Sequence, residues 1–191
     1  MTLKALRIAC TYREPAVLSR TSPRRGLGVA IGDFDNDVWP DVYVANDEAA
    51  NFLFRNRGGR GFEEVGAESG TAYNESGVAE AGMGTDFADL NGDGHLDIIV
   101  TNLNNELNNV FMNTGDGVFE EKARSSGMGA NSNSYVGFGA RAFDYNNDGN
   151  LDVFVANGHI TDNIVDIDPE AHYAQSDFLF IGDGKGKFRE G

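Results

Sequence analysis

Apolar residues in this chain come in short runs that recur in a fixed order. Val42-Tyr43-Val44-Ala45, Ile98-Ile99-Val100 and Val153-Phe154-Val155-Ala156 are rich in β-branched and aromatic side chains, which predicts strands. A second run follows each one: Phe52-Leu53-Phe54, Val110-Phe111-Met112 and Phe178-Leu179-Phe180. Each second run leads into a Gly-rich turn and a last aromatic, Phe62, Phe119 or Phe188, and Gly provides the positive φ that hairpin turns demand. Ahead of the first run a Gly (Gly28, Gly84, Gly139) opens a further strand, and an Asn (Asn46, Asn102, Asn157) stands at the end of the run. Each copy thus predicts four antiparallel strands, the make-up of one propeller blade.

Between the first and second strands of each copy lies a polar ladder of the form D-x-[DN]-x-D-x-x-x-D. Its side chains are Asp33, Asp35, Asp37 and Asp41 in the first loop, Asp89, Asn91, Asp93 and Asp97 in the second, and Asp144, Asn146, Asp148 and Asp152 in the third. Position 7 is Trp39, His95 or Asn150, where the backbone carbonyl is the expected ligand and the side chain is not. Oxygen donors at positions 1, 3, 5, 7 and 9 of a tight loop form the all-oxygen cage that a hard cation such as Ca²⁺ prefers. Asp, Asn and Gly also build metal-free turns, but three ladders in register with Asp always at position 9 favour metal. An EF-hand is excluded because its bidentate Glu at position 12 is here Val44, Val100 or Val155. The first loop departs from the pattern: Val38 stands where the sharp turn takes Gly94 and Gly149, and a Val resists left-handed backbone angles, so this site is expected to be distorted or weaker.

The first Asp of each ladder falls at 33, 89 and 144, a period of repeat architectures and not of one irregular domain. The expected fold class is all-β: three four-stranded antiparallel blades forming an open partial propeller, since closure takes four to eight. The expected boundaries are an N-terminal segment 1–25, then blades at 26–80, 81–136 and 137–191. In the N-terminal segment Leu6, Ile8, Cys10 and Tyr12 alternate with Arg7, Thr11 and Arg13, which reads as an outer strand of an incomplete blade.

Composition agrees. A chain of 191 residues with 40% hydrophobic content can bury a core, and 25 Gly suit a turn-dense all-β protein. The formal charge of −15 argues against nucleic acid, which needs a basic patch. Ten carboxylates belong to the ladders, so the acidity is largely a metal-site signature, with about three Ca²⁺ expected. The single Cys10 excludes an intrachain disulfide framework. No apolar stretch is long enough for a transmembrane helix, and the N-terminus holds none suited to a signal peptide.

With these residues in view, the repeats resemble the FG-GAP or VCBS blades of integrin α-chain-type propellers over roughly residues 26–191. Gly26-Leu27-Gly28-Val29-Ala30-Ile31-Gly32-Asp33-Phe34-Asp35-Asn36-Asp37, Val42-Tyr43-Val44-Ala45-Asn46-Asp47 and Phe154-Val155-Ala156-Asn157-Gly158-His159 are similar to the cartilage-acidic-protein (ASPIC/UnbV) group within it. The resemblance implies a non-enzymatic, calcium-stabilised adhesion or scaffold module, extracellular or on the cell surface, that binds a protein or glycan. In that group the propeller runs on for more blades and ends in a further C-terminal domain.

One stretch breaks the period. From 158 to 176 the third copy carries extra residues, among them His159, Asp162, Asp166, Asp168, Glu170 and His172. Loops on a rigid scaffold carry recognition, so a surface excursion between the second and third strands of the third blade is expected. Two other function classes stay open: a propeller-borne polysaccharide-active enzyme, for which no Ser-His-Asp or zinc-type spacing appears, and a structural protein that self-associates through its open blade edges.

Overall fold

The structure is a computed structural model that describes residues 25–191; the strand expected over Leu6–Tyr12 lies outside the described residues. Twelve strands form three four-stranded antiparallel sheets, each in simple sequential order. Blade 1 holds β1 (Gly26–Gly32), β2 (Asp41–Asn46), β3 (Phe52–Asn56) and β4 (Phe62–Glu64). Blade 2 holds β5 (Thr85–Ala88), β6 (Asp97–Val100), β7 (Asn109–Asn113) and β8 (Phe119–Glu121). Blade 3 holds β9 (Gly137–Phe143), β10 (Asp152–Asn157), β11 (Phe178–Gly182) and β12 (Phe188–Glu190). The meander expected for each repeat is thus observed. Short helical turns not foreseen from the pattern, Gly66–Ser69, Ala123–Ser126 and Gly129–Ser132, follow the fourth strands of blades 1 and 2.

Strand alternation gives each blade two apolar faces. The front face of blade 1 (Ala30, Tyr43, Ala45, Leu53) packs on the back face of blade 2 (Ile98, Val100, Phe111). The front face of blade 2 (Ala88, Ile99, Val110) packs on the back face of blade 3 (Val153, Val155, Phe180). The core is therefore two inter-blade layers, and the cross-strand register within a blade sets which side chains reach them: Tyr43 opposes Ala30 and Leu53, and all three point into the first layer.

Three in-phase Asn residues hold the hairpin between second and third strands. Asn46, Asn102 and Asn157 donate through Nδ2 to the carbonyls of Ala50, Leu107 and Ser176. Their backbone N–H groups donate to the side-chain oxygens of Asn51, Asn108 and Asp177. The clamp survives in blade 3, where the connection is much longer, so the extra residues leave β10 and β11 in register. They do not float free: a turn of 3₁₀ helix, Ile164–Asp166, buries Ile164, the His159 N–H donates to the Tyr173 carbonyl, and Gln175 Oε1 accepts from the Val136 N–H at 2.9 Å.

Candidate cation loops

All three ladders fold onto the same frame. The position 1 carboxylate accepts backbone N–H bonds from positions 5 and 6: Asp33 from Asp37 and Val38, Asp89 from Asp93 and Gly94, Asp144 from Asp148 and Gly149, all within 2.8–3.1 Å. The position 5 carboxylate turns the next bend, with Asp37, Asp93 and Asp148 accepting the N–H of Trp39, His95 and Asn150 at 2.8–2.9 Å. An alternation of Asp and turn-forming residues can close such a loop because short polar side chains bond backbone groups two to five residues on.

Position 9 behaves differently. Asp41, Asp97 and Asp152 are fully buried. One carboxylate oxygen accepts the N–H of position 2, from Phe34, Leu90 or Tyr145 at 2.9–3.1 Å. The other accepts the N–H of the third strand's last residue, from Asn56, Asn113 or Gly182 at 2.7–2.9 Å. Each position 9 Asp thereby pins its loop to the hairpin beyond it. Burial pushes the Asp41 and Asp97 carboxyls up to about 6, against the pull of those backbone bonds.

Position 7 side chains leave the cage and cover the Gly-rich turn of their own blade. The Trp39 ring lies over Gly58 and Gly59, the His95 ring over Gly115, and Asn150 against Gly184. A Cβ at Gly115 would sit 2.8 Å from His95 Nε2, so small residues in that turn follow from this packing as well as from positive φ. His95 also links two loops: the Asn36 amide donates to His95 Nδ1 at 3.0 Å and to the Gly94 carbonyl at 3.3 Å.

The loops diverge at position 3. In loop 1, one carboxylate oxygen each from Asp33, Asp35 and Asp37 lies within 4.8 Å of the others. Asp35 Oδ1 is buried without a hydrogen-bond partner, while Oδ2 pairs with Arg55 Nε at 3.0 Å. The Arg55 guanidinium also sits 5.4 Å above the Phe34 ring. Burial raises the Asp35 carboxyl above its usual range, Asp37 adds to this, and Arg55 opposes it. In loops 2 and 3 the position 3 amide is self-satisfied: Asn91 and Asn146 donate through Nδ2 to Asp93 and Asp148 Oδ2, both at 2.9 Å. The residues matching Arg55 are Met112 and Ile181, each one before the strand end that pins position 9. Sequence reading missed Arg55 because its partner lies twenty residues away with no motif between them.

Comparisons with known proteins bear on the same residues. The family model for the FG-GAP-like repeat matches residues 33–100 and again 89–155. Cartilage acidic protein 1 of Xenopus tropicalis is 34% identical over 79 residues, 41% of this chain and 12% of that protein. The Homo sapiens protein of the same name is 34% identical over 79 residues, 41% of this chain and 11% of its own length. The matched stretch is thus a small part of these relatives. A solved lectin of Agrocybe aegerita, described for specific recognition of non-reducing terminal N-acetylglucosamine, superposes with a TM-score of 0.47 at 22% identity, over 84% of this chain and 36% of the lectin. With two overlapping matches that together run from 33 to 155, over all three ladders and more than half of its length, the chain belongs to the FG-GAP-like repeat family.

Proposed function

We propose that this chain is a calcium-binding, non-enzymatic repeat module that works outside the cell as a scaffold or adhesion surface. The observation that carries the reading is the convergence of Asp33, Asp35 and Asp37, with a buried carboxylate oxygen on Asp35 that has no partner. Such a crowd of like charges is stabilised by a cation bound among them, and an all-oxygen donor set suits a hard one. The residues that would hold it are Asp33, Asp35, Asp37 and Asp41 with the Trp39 carbonyl. Asp89, Asn91, Asp93 and Asp97 with the His95 carbonyl would hold a second ion, and Asp144, Asn146, Asp148 and Asp152 with the Asn150 carbonyl a third. The extracellular placement is supported by the similarity to cartilage acidic protein 1, and among the described residues no helix is long and apolar enough to cross a membrane.

A protein or glycan partner is assigned to the 158–176 excursion, which exposes Ile160, Val165, Ile167 and Tyr173 beside the acidic Asp162, Asp166, Asp168 and Glu170. Metal-stripped protein titrated with calcium in a calorimeter should take up close to three ions, with affinities of about 10⁻⁴–10⁻³ M as in extracellular modules. Its melting temperature should rise with calcium by mass action. No heat of binding together with a melting temperature indifferent to calcium would overturn the reading.

A further inference from the structure

The seam between blades 1 and 2 and the seam between blades 2 and 3 are built from in-phase residues, so each is a reference for the other. The turn between β11 and β12 is seated on loop 2 by the Gly186 N–H, which donates to the Leu90 carbonyl at 3.3 Å. A Cβ on Gly186 would lie 2.8 Å from Met112 Cε, and one on the in-phase Gly117 would lie 3.1 Å from Arg55 Nη2. The two turns therefore approach the same place on the preceding blade. In the first seam that place holds Arg55 and its partner Asp35. In the second, Met112 and Asn91 stand there instead, in the wall of a cavity of about 470 Å³.

All three lysines of the described residues, Lys122, Lys185 and Lys187, line this cavity, and no carboxylate does. Their in-phase residues in the first seam are Val65, Asp116 and Val118, and Ser125, which also lines the cavity, is in phase with Glu68. Across this set the first seam carries Asp35, Glu68, Asp116 and Arg55, whereas the second carries three ammoniums and no acid. The repeat itself therefore does not demand lysine here. In a chain of formal charge −15, three like charges gathered at one cavity repel one another unless an anion lies among them.

The ammoniums are open to such a partner. Lys185 makes no side-chain hydrogen bond or salt bridge among the described residues. Asp183, the carboxylate of the same turn, has its Oδ1 engaged by the N–H groups of Lys185 and Lys187 at 2.8 and 3.0 Å. Lys122 meets Glu120 at 2.7 Å in an exposed pair, a kind of contact with little strength. Lys187 donates through Nζ to the Ser125 carbonyl, which holds its ammonium across the seam.

The lining also indicates the class of anion. Lys is a point charge without the planar fork with which Arg grips a carboxylate, and three of them suit the three outer oxygens of a tetrahedral oxyanion ester. The volume falls within the roughly 300–1,000 Å³ of small-molecule sites and is more than a lone ion fills. Asn91 and Ser125 offer polar partners for hydroxyl groups, and no aromatic ring on which a base would stack lines the cavity.

We propose that the seam between blades 2 and 3 binds the sulfate or phosphate ester of a sugar-sized ligand through Lys122, Lys185 and Lys187. The assignment depends on neither the calcium reading nor the 158–176 excursion.

Calorimetric titration of the full chain with glucose 6-sulfate and glucose 6-phosphate, at low ionic strength where screening is weak, tests it. At least one ester should bind, neutral glucose should not, and the tighter ester identifies the group. No binding of either ester, or equal binding of glucose, overturns the proposal. Inorganic sulfate or phosphate binding as tightly as the ester overturns the assignment of a sugar-sized ligand. Lys185→Asp, Lys122→Val and Lys187→Val copy the first seam. Lys185→Asp should weaken binding about tenfold or more, the size of one charge-assisted contact, and the triple variant should not bind. Should Lys187→Val lower the melting temperature, Lys185→Asp keeps the test independent of folding, because no side-chain hydrogen bond is lost. Arg60→Ala, which removes an exposed cation from the blade 1 turn, should leave affinity unchanged. Affinity that survives Lys185→Asp, or that falls equally with Arg60→Ala, overturns the site.

Discussion

Loops 1 and 3 share a backbone frame and differ in how they manage charge. Loop 1 places four Asp in the ladder and brings Arg55 from the third strand as an internal counter-ion. Loop 3 replaces one Asp with Asn146, whose amide closes the ring onto Asp148 Oδ2, and has Ile181 at the place of Arg55. The residues at position 6 differ as well. Position 6 takes a left-handed angle in both, φ +72° at Val38 and φ +88° at Gly149; the expectation that a Val resists this conformation is met not by a different turn but by a strained residue held in the same one. The comparison teaches that the ladder's fold is set by its hydrogen bonds, while its charge and strain are free to vary.

The largest effect should come from what the two loops have in common. Asp41→Ala leaves two buried N–H groups without an acceptor and Asp152→Ala one buried and one part-buried, so at about 1–3 kcal/mol for each buried unsatisfied group the first should lose roughly 2–6 kcal/mol in chemical denaturation and the second roughly 1–3 kcal/mol or somewhat more. The loss should be present in chelator as well as in calcium. Stability left unchanged in one loop alone would break the idea of a common frame.

Position 5 separates metal from frame. Asp37→Ala and Asp148→Ala remove one exposed acceptor and one proposed ligand, so in calcium the melting temperature should drop while in chelator it moves little. Equal drops under both conditions would mean that these carboxylates only turn the chain.

Strain is the next difference. Val38→Gly relieves a left-handed angle that costs an L-residue roughly 1–2 kcal/mol, partly offset by glycine's greater unfolded-state entropy. The net gain should be about 1 kcal/mol or less by urea titration. The matching Gly149→Val should lose stability by a similar amount.

Protonation gives a pH signature. Asp41 and Asp97 are pushed up to about 6 by burial, above the unfolded value of about 3.9, so the folded state binds protons more readily. Without metal, stability should therefore rise as pH falls from about 6 toward 4 and reach its lower level above 6. Calcium bound as proposed would compete with those protons, so its gain in melting temperature should be larger at pH 7 than at pH 5. A metal-stripped chain that loses stability on acidification over that range would contradict the burial argument.

The smallest effect concerns the counter-ion. Arg55→Met, which copies Met112 of blade 2, removes a partly exposed pair worth about 0.2–1 kcal/mol. It should tighten calcium at loop 1 a few-fold, read by titration of a variant whose loops 2 and 3 are disabled at position 5. Weaker binding would show that Arg55 organises the cage and does not compete with its cation.

Much of this molecule was legible in the chain itself. The strand runs, the Gly-rich turns and the three ladders follow from local alternation and spacing, and the four-stranded meanders appear where that spacing put them. The roles of single ladder residues were less legible. Asp41, Asp97 and Asp152 read as ligands by position, yet what distinguishes them is a bond to a strand end 15, 16 or 30 residues onward. Trp39, His95 and Asn150 were separated by sequence into a backbone donor and an uninvolved side chain, but that the side chains cap the glycine turns came only from packing.

The tertiary structure alone decided which apolar face each blade buries, that Arg55 meets Asp35, and that Asn51, Asn108 and Asp177 complete the hairpin clamp. It also separated Gly28 and Gly84, where an added Cβ would meet the backbone of Met83 and of Gly139 in the next blade, from Gly139, where it would meet nothing among the described residues. The physical reason is one of range: periodicity and turn chemistry act over a few residues and are written in order along the chain. Burial, ion pairing and close backbone approach depend on residues brought together from different blades, and nothing in the local pattern encodes which they will be.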